Sequence, residues 1–383
     1  MEAPSTLTPR RAGTVWHVTA PLEQYAALVV VSFGGPEGPA EVMPFLRRVT
    51  AGRGVPDDRL AVVAEHYHAF GGVSPINAQN RALVAALTAE LAARGVDLPV
   101  VLGNRHTAPL LADALAPFAG QRVLALITSA YRSYSSCRQY REDLAAADPS
   151  RAVRIDKIPA YAARPAFAEI NARLVVETIG RAPRGSHPHV VTVAHSIPTA
   201  MDAVSGPPTA GGRMYSRELA QVTAHVTEAA NAHLGGTQAP DLAFCSRSGP
   251  PGQPWLEPDV NDRLSELAQQ GVDTVVLAPI GFVSDHMEVV YDLDTEAAAT
   301  AKRLGMTLLR APTVGTDPHY VAVLVDLAME RAIEGDMEPA IEGAMDRATV
   351  GGPGASPNRL CPTDCCANLR GPRPARCGEE EPT

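Results

Sequence analysis

The sequence predicts a doubly wound α/β fold made of two similar domains, each a four-stranded parallel sheet flanked by helices. Three observations predict it. Short apolar runs rich in β-branched residues recur along the chain. They are apolar at consecutive positions, as strands covered by helices on both faces must be. Helical stretches separate them, which is the alternation that builds parallel sheets.

In chain order, the first set of runs is 27–31, 98–102, 122–127 and 153–158. The second set is 189–193, 242–245, 274–279 and 306–309. "NAQNRALVAALTAELAARG" at 77–95 reads as a covering helix, with Asn77 able to start it. "RPAFAEINARLVVETIG" at 164–180 reads as another, and the Arg-Ala-Pro-Arg-Gly after it is a helix stop. "YVAVLVDLAMERAIEG" at 320–335 reads as a closing helix. Beyond residue 345 the chain turns to Gly, Pro, Arg and Cys with no period, and is irregular unless something ties it down. With 383 residues the chain exceeds the size at which single cores stop growing, roughly 250–300 residues. The expected division is an N-terminal extension at 1–24, a first domain at 25–165, a second with the closing helix at 166–335, and a Cys-bearing extension at 336–383.

Composition narrows the function classes. The net charge is −9 and the Lys and Arg residues are scattered, which argues against a nucleic-acid partner. No apolar run approaches the roughly 20 residues of a membrane helix. "MEAPSTLTPRRAGTVWHVTA" has no apolar secretory core, so the expected location is the cytoplasm. A monomer is expected. Four of the six cysteines, Cys361, Cys365, Cys366 and Cys377, crowd the C-terminal tail. In the cytoplasm such a cluster points to metal or redox chemistry rather than a disulfide. Tetrahedral zinc and an iron–sulfur centre both remain open on the residues alone. Cys245 ends a strand and reads as packed.

Ligands of doubly wound sheets sit beyond the carboxyl ends of the strands. The residues there are "SFGGP", "GNRH", "SAYRSYSSCRQY", "AHSIP", "CSRSGPPGQPW" and "GFVSDHMEVVYD", rich in His, Tyr, Ser and Arg. Neither a Walker loop nor a GxGxxG turn is present, so no nucleotide cofactor is signalled. His195, directly past a buried strand, is placed as a base or a metal ligand; a histidine satisfied by a backbone group is the plainer alternative. No Gly-x-Ser-x-Gly elbow surrounds Ser196. In "SDHMEVVYDLDTE", a helix starting near residue 285 puts Glu288, Asp292 and Glu296 on one face. Like charges at that spacing repel unless a cation runs along them, so the row suits a divalent ion such as Fe²⁺; a solvated acidic face is the alternative. Gly71-Gly72 before Ser74-Pro75 makes a turn whose backbone and Ser74 hydroxyl can grip a carboxylate, or simply cap a helix. Arg47, Arg48 and Arg53 offer positive charge to an anionic ligand, or are surface arginines.

Taken together, "VSFGGP", "HYHAFGGVSPIN", "AHSIP", "SGPPGQPWLEPDV" and "GFVSDHMEVVYDLD" resemble, in order, the ferrochelatase family, over about residues 25–330. The resemblance implies two Rossmann-like, chelatase-like domains with a porphyrin cleft between them. It implies an enzyme that inserts Fe²⁺, as substrate, into a porphyrin during haem synthesis. The family's catalytic histidine matches His195, and its metal-site glutamate matches Glu288. Both are then candidates to hold the substrate iron, with Asp292 and Glu296 as an acidic conduit. Implied porphyrin contacts are Phe33, Arg47, Arg48, Arg53, Ser74, His106, Tyr131 and Tyr140. Some members carry a tyrosine where this chain has Phe33, and a phenyl ring cannot ligate; it packs on the macrocycle. The Ala-, Arg- and Pro-rich composition and the cysteine tail resemble actinobacterial members, which use coproporphyrin III. Protoporphyrin IX is the alternative substrate, and a non-catalytic porphyrin or haem carrier the alternative function. Some members also hold a [2Fe–2S] cluster by one cysteine near Cys137 and three in a C-terminal extension. That implies Cys137, Cys361, Cys365 and Cys366 as ligands, with Cys377 as a rival.

Overall fold

The computed structural model describes residues 20–376, apart from positions 53, 250, 251, 342–360 and 363. Arg53, Cys377 and most of the expected terminal extensions therefore lie outside the described residues. Among the described residues eight strands form: β1 Ala27–Ser32, β2 Val100–Asn104, β3 Arg122–Ile127, β4 Arg154–Lys157, β5 His189–His195, β6 Leu242–Cys245, β7 Thr274–Ala278 and β8 Thr307–Arg310. They build two four-stranded parallel sheets ordered β2-β1-β3-β4 and β6-β5-β7-β8. The second sheet repeats the strand order of the first. β1, β5 and β7 are buried at almost every position, which is why they read as continuous apolar runs. The least accurate expectation is β2, set at 98–102 but observed two residues later. Leu98 is buried against the helices before the ladder begins.

Alternate residues of each central strand face opposite layers. Leu28 and Val30 of β1 and Val190 and Ala194 of β5 belong to one continuous core, together with the helices at Ile76–Ala93, Pro165–Ile179 and Met214–Leu234. Val29 and Val31 face a separate outer core of the first half, and Val191 and Val193 one of the second. The two sheets thus share their inner layer. The last helix, Pro318–Ile341, crosses back over the first half. Its Arg331 bonds Asp156 of β4 at 3.0 Å, and its Asp326 bonds Arg94 at 2.5 Å.

Asn77 does not start its helix. The helix begins at Ile76, and the buried Asn77 side chain donates to the Gly35 carbonyl at 2.8 Å. Gly35 must be a glycine: a Cβ there would lie 2.6 Å from Ser74 Cβ, so the loop after β1 and the turn before this helix interlock.

Candidate functional site

The crevice of the second sheet opens at the carboxyl ends of β5 and β7, where the connections leave in opposite directions. His195 is the last residue of β5. Its backbone carbonyl is held by the Tyr215 hydroxyl at 2.8 Å. Its Nδ1 donates to the Ser196 carbonyl at 2.5 Å, so the Nε2 lone pair points outward. There it meets Glu288 Oε2 at 3.5 Å. The Ser196 hydroxyl is turned away, donating to the Leu256 carbonyl at 2.8 Å.

Glu288 arrives by way of a close crossing. The segment after β7 passes over β5 beside His195, with Gly281 N–H donating to the Val193 carbonyl at 3.1 Å. A Cβ on Gly281 would stand 2.5 Å from Ala194 Cβ, so only glycine permits that approach. A short helix then runs Met287–Tyr291, with Glu288 in its first turn. His286 Nδ1 lies 3.7 Å from the same Glu288 oxygen.

The acidic row differs from the sequence expectation. A regular helix does not continue through it: Asp292–Ala297 is a π-helical turn, wider by one residue, and α-helix resumes at Ala298. Glu288, Asp292 and Glu296 therefore do not stack on one regular helical face. They form a graded series instead, with the Glu288 side chain half exposed to the cleft, Asp292 partly buried and Glu296 at the surface. Ser246 donates its hydroxyl to Asp292.

The charges interact strongly. Burial opposes ionisation of both His195 and Glu288, yet their mutual attraction prevails. His195 is raised above the ordinary histidine value, and Glu288 is held well below the ordinary glutamate value. Burial and the neighbouring His195 push His286 the other way, downward. Asp292 is pushed up to about 7 by burial and by the nearby charges of Glu288 and Glu296, against the Ser246 hydrogen bond.

Several participants were not legible in the sequence. Gln79, on the helix of the first half, accepts from the Asp285 N–H at 2.7 Å and so anchors the Glu288 loop from across the cleft. Arg310 Nη2 and the Thr313 hydroxyl hold the Asp285 carboxylate at 3.1 and 3.2 Å. The Tyr67 hydroxyl is raised by burial and by the charge of Glu288, which places that side chain beside the site. Next to it, His66 stacks on Tyr291 at 3.8 Å.

The implied porphyrin contacts divide. Phe33 packs edge-on to His106 at 4.6 Å, past the ends of β1 and β2. Arg48 donates to the His106 carbonyl at 2.8 Å, and Arg47 pairs with Asp57 at 2.6 Å on the open surface. Three others turn inward. Tyr131 is 1% exposed, and its hydroxyl donates to the Ile280 carbonyl at 2.9 Å, so it joins the halves as core. Tyr140 is buried beneath the Arg105 guanidinium at 4.5 Å. Ser74 is buried under Gly35. Tyr131 and Tyr140 fill the inner and outer cores of the first half, whereas Ser74 closes the contact with Gly35.

The tail returns to the body. Cys365 and Cys366 are fully buried. Cys366 N–H donates to the Gly206 carbonyl at 2.9 Å, and Gly206 N–H donates to Cys366 Sγ at 3.1 Å. Arg376 pairs with Asp148 at 2.8 Å, and Arg138 donates to the Arg373 carbonyl at 3.0 Å. The tail therefore touches both halves. Four thiols meet there in sequence. Cys361 bonds both Cys137 and Cys365, and Cys365 Sγ lies 3.8 Å from Cys366 Sγ. Those contacts, above all the one with Cys137, hold the Cys361 thiol well below its ordinary value. Among the described residues no three His, Cys, Asp or Glu converge as ligands of a single ion. Cys245 lies apart, buried at the end of β6. No helix among the described residues is long and apolar enough to cross a membrane.

Two parallel sheets sharing a core, with polar side chains gathered beyond their carboxyl ends, make an α/β protein whose ligand-binding crevice lies at those ends. Comparison with known proteins makes the assignment specific. A model of the ferrochelatase family matches residues 25–332. The coproporphyrin III ferrochelatase of Streptomyces coelicolor is 48% identical over 371 residues, covering 94% of this chain and 97% of that one. Those of Leifsonia xyli subsp. xyli and Streptomyces griseus subsp. griseus are 46% and 45% identical, covering 97% and 94% of this chain and 98% and 97% of theirs. The chain belongs to the ferrochelatase family, enzymes that insert iron into a porphyrin.

Proposed function

We propose that this ferrochelatase acts on coproporphyrin III, with His195 and Glu288 as its reacting pair. The observation that carries the reading is the 3.5 Å approach of His195 Nε2 to Glu288 at the mouth of the second sheet. That the three relatives are coproporphyrin III ferrochelatases supports the choice of porphyrin. Two pyrrole N–H bonds break, four N–Fe bonds form, and two protons leave. Neutral His195 accepts a proton at Nε2, since its Nδ1 is engaged with Ser196. Glu288 shares the incoming Fe²⁺ or the outgoing proton with it. Asp292, poised near neutrality, exchanges protons with Glu288, and exposed Glu296 passes them to solvent. Phe33, His106, Arg47 and Arg48 border the first half's side of the cleft and take the ring edge and its carboxylates. The domain division at 25–165 and 166–335 belongs to the same reading, with the final helix clasping the first half.

We further propose Cys137, Cys361, Cys365 and Cys366 as the residues that would hold a [2Fe–2S] centre, which takes four thiolates. The contacts among these thiols and the burial of Cys137, Cys365 and Cys366 support that reading. When bound, such a centre supplies a permanent one-electron site.

Anaerobic incubation of the purified protein with Fe²⁺ and, side by side, coproporphyrin III and protoporphyrin IX tests the main reading. Faster loss of the free-base spectrum with coproporphyrin III is expected. Persistence of both free-base spectra at catalytic protein concentration would overturn it.

A further inference from the structure

Arg310 is the last residue of β8. The ladder fixes its root. It stands opposite Leu277 of β7, and the next N–H, that of Ala311, donates to the Leu277 carbonyl at 2.8 Å. Its guanidinium spans two carboxylates. Nη1 and Nη2 donate to the two oxygens of Asp285 at 3.2 and 3.1 Å. Nε and Nη2 donate to the two oxygens of Asp294 at 2.5 and 3.1 Å. Asp285 precedes the short helix of Glu288, and Asp294 lies beyond it, inside the π-helical turn. One side chain thus grips both ends of the segment that carries Glu288. Local structure alone does not hold that segment. Its helix has 5 residues, and isolated helices shorter than about 12–15 residues are marginal. Met287 and Val289 bury one face of it, while the Glu288 side chain stands half exposed to the cleft. The aim of Glu288 is therefore set by where the two ends are held.

We propose that Arg310 is a positioning residue of the iron-insertion reaction: by tying Asp285 and Asp294 to the end of β8, it fixes the aim of Glu288 at His195. The proposal rests on the reading of Glu288 as a reacting residue. The fork is what the task needs. A planar guanidinium presents fixed donors to each of two carboxylates, whereas an ammonium is a point charge on a flexible stem. The Thr313 hydroxyl adds a bond at 3.2 Å, but to the Asp285 arm alone. Gln79 holds the backbone N–H of that same residue from the other half. Arg310 alone joins this doubly anchored end to the π-helical end among these contacts. Simple neutralisation of the two acids is the competing role, and a lysine would serve it.

The test uses the full chain as wild type, Arg310→Met, Arg310→Lys, Glu288→Gln and the double variants that combine Glu288→Gln with each Arg310 change. Turnover with Fe²⁺ and coproporphyrin III is measured beside porphyrin affinity by fluorescence. Arg310→Met is expected to lower kcat by roughly 10–10²-fold, the cost of misplacing a reacting group by about 1 Å, with porphyrin affinity unmoved. Arg310→Lys keeps the charge but not the fork, and is expected to lose most of the same factor. In the Glu288→Gln background either Arg310 change should cost little more, because residues that act through one group are not additive. A role in general stability would cost the same factor in both backgrounds, and that result overturns the proposal. Wild-type turnover in Arg310→Lys overturns it too. Should the Arg310 variants fail to fold, Asp294→Asn breaks the more exposed arm and carries the test. A fall in kcat that disappears in the Glu288→Gln background supports the proposal there, and no fall overturns it. Wild-type turnover in Glu288→Gln overturns the reading of Glu288 along with this one. A slow Glu288→Gln beside Arg310 variants of wild-type speed overturns this one alone.

Discussion

The connections from β3 to β4 and from β7 to β8 occupy equivalent places in the two sheets, and each contains a π-helical turn. In the first half the turn is Tyr134–Arg138 and carries Cys137; in the second it is Asp292–Ala297 and carries the acidic row. Cys137 is buried, with a lysine and other thiols around it. Glu288, just ahead of the second turn, is half exposed and faced by two imidazoles. One slot thus gathers soft sulfur in a closed, cation-lined place, and the other hard oxygen beside an open cleft. The difference teaches that topology offers the position beyond a central strand, while burial and local charge decide which side chains can gather there. A wide turn loosens the regular spacing in both, letting a side chain aim where an α-helix would not send it.

The comparison makes predictions of decreasing size. The largest is at the open site. His195→Ala should lower turnover by roughly 10²–10⁴-fold, the usual worth of a positioned acid–base group, while porphyrin binding measured by fluorescence persists. Turnover near wild type would remove His195 from the reaction and with it the functional contrast between the halves. Next, under the proposed cluster reading, Cys137→Ala should lower the iron and sulfide of the purified protein and speed hydrogen exchange in residues 361–376. Cys377→Ser should retain both, and loss there would exchange Cys377 for one of the tail ligands. The smallest effect is a displacement along the pH axis. Glu288 raises His195, so the neutral imidazole forms only at higher pH. Glu288→Gln removes that attraction, and the acid limb of the kcat/KM profile should move to lower pH. A limb that stays in place, or moves upward, would mean that another group controls it.

Much of this was legible in the sequence. β3 and β6 fall where continuous apolar residues place them, because strands buried on both faces leave an unambiguous pattern. The sequence pointed to the segments that bring His195 and Glu288 together, the end of β5 and the connection after β7, but not to the 3.5 Å approach between them. The π-turn was not: the spacing of Glu288, Asp292 and Glu296 fits an ordinary helix, and nothing local announces the extra residue. Tyr131 shows a second limit. Aromatic residues beyond a strand suggest a cleft, but whether they face it depends on Phe167 and Tyr215, distant in sequence, which pack edge-on against Tyr131. Gln79 shows a third, since a glutamine on a helix carries no mark of the distant N–H it accepts.

That last bond has a mechanical consequence. Gln79 belongs to one half, and the peptide it grips lies just before His286 and Glu288 in the other. It works as a tie-rod across the seam. Any sliding of the Ile76–Ala93 helix is passed to the loop that carries Glu288 beside His195, so the spacing of the two halves and the aim of that carboxylate are coupled.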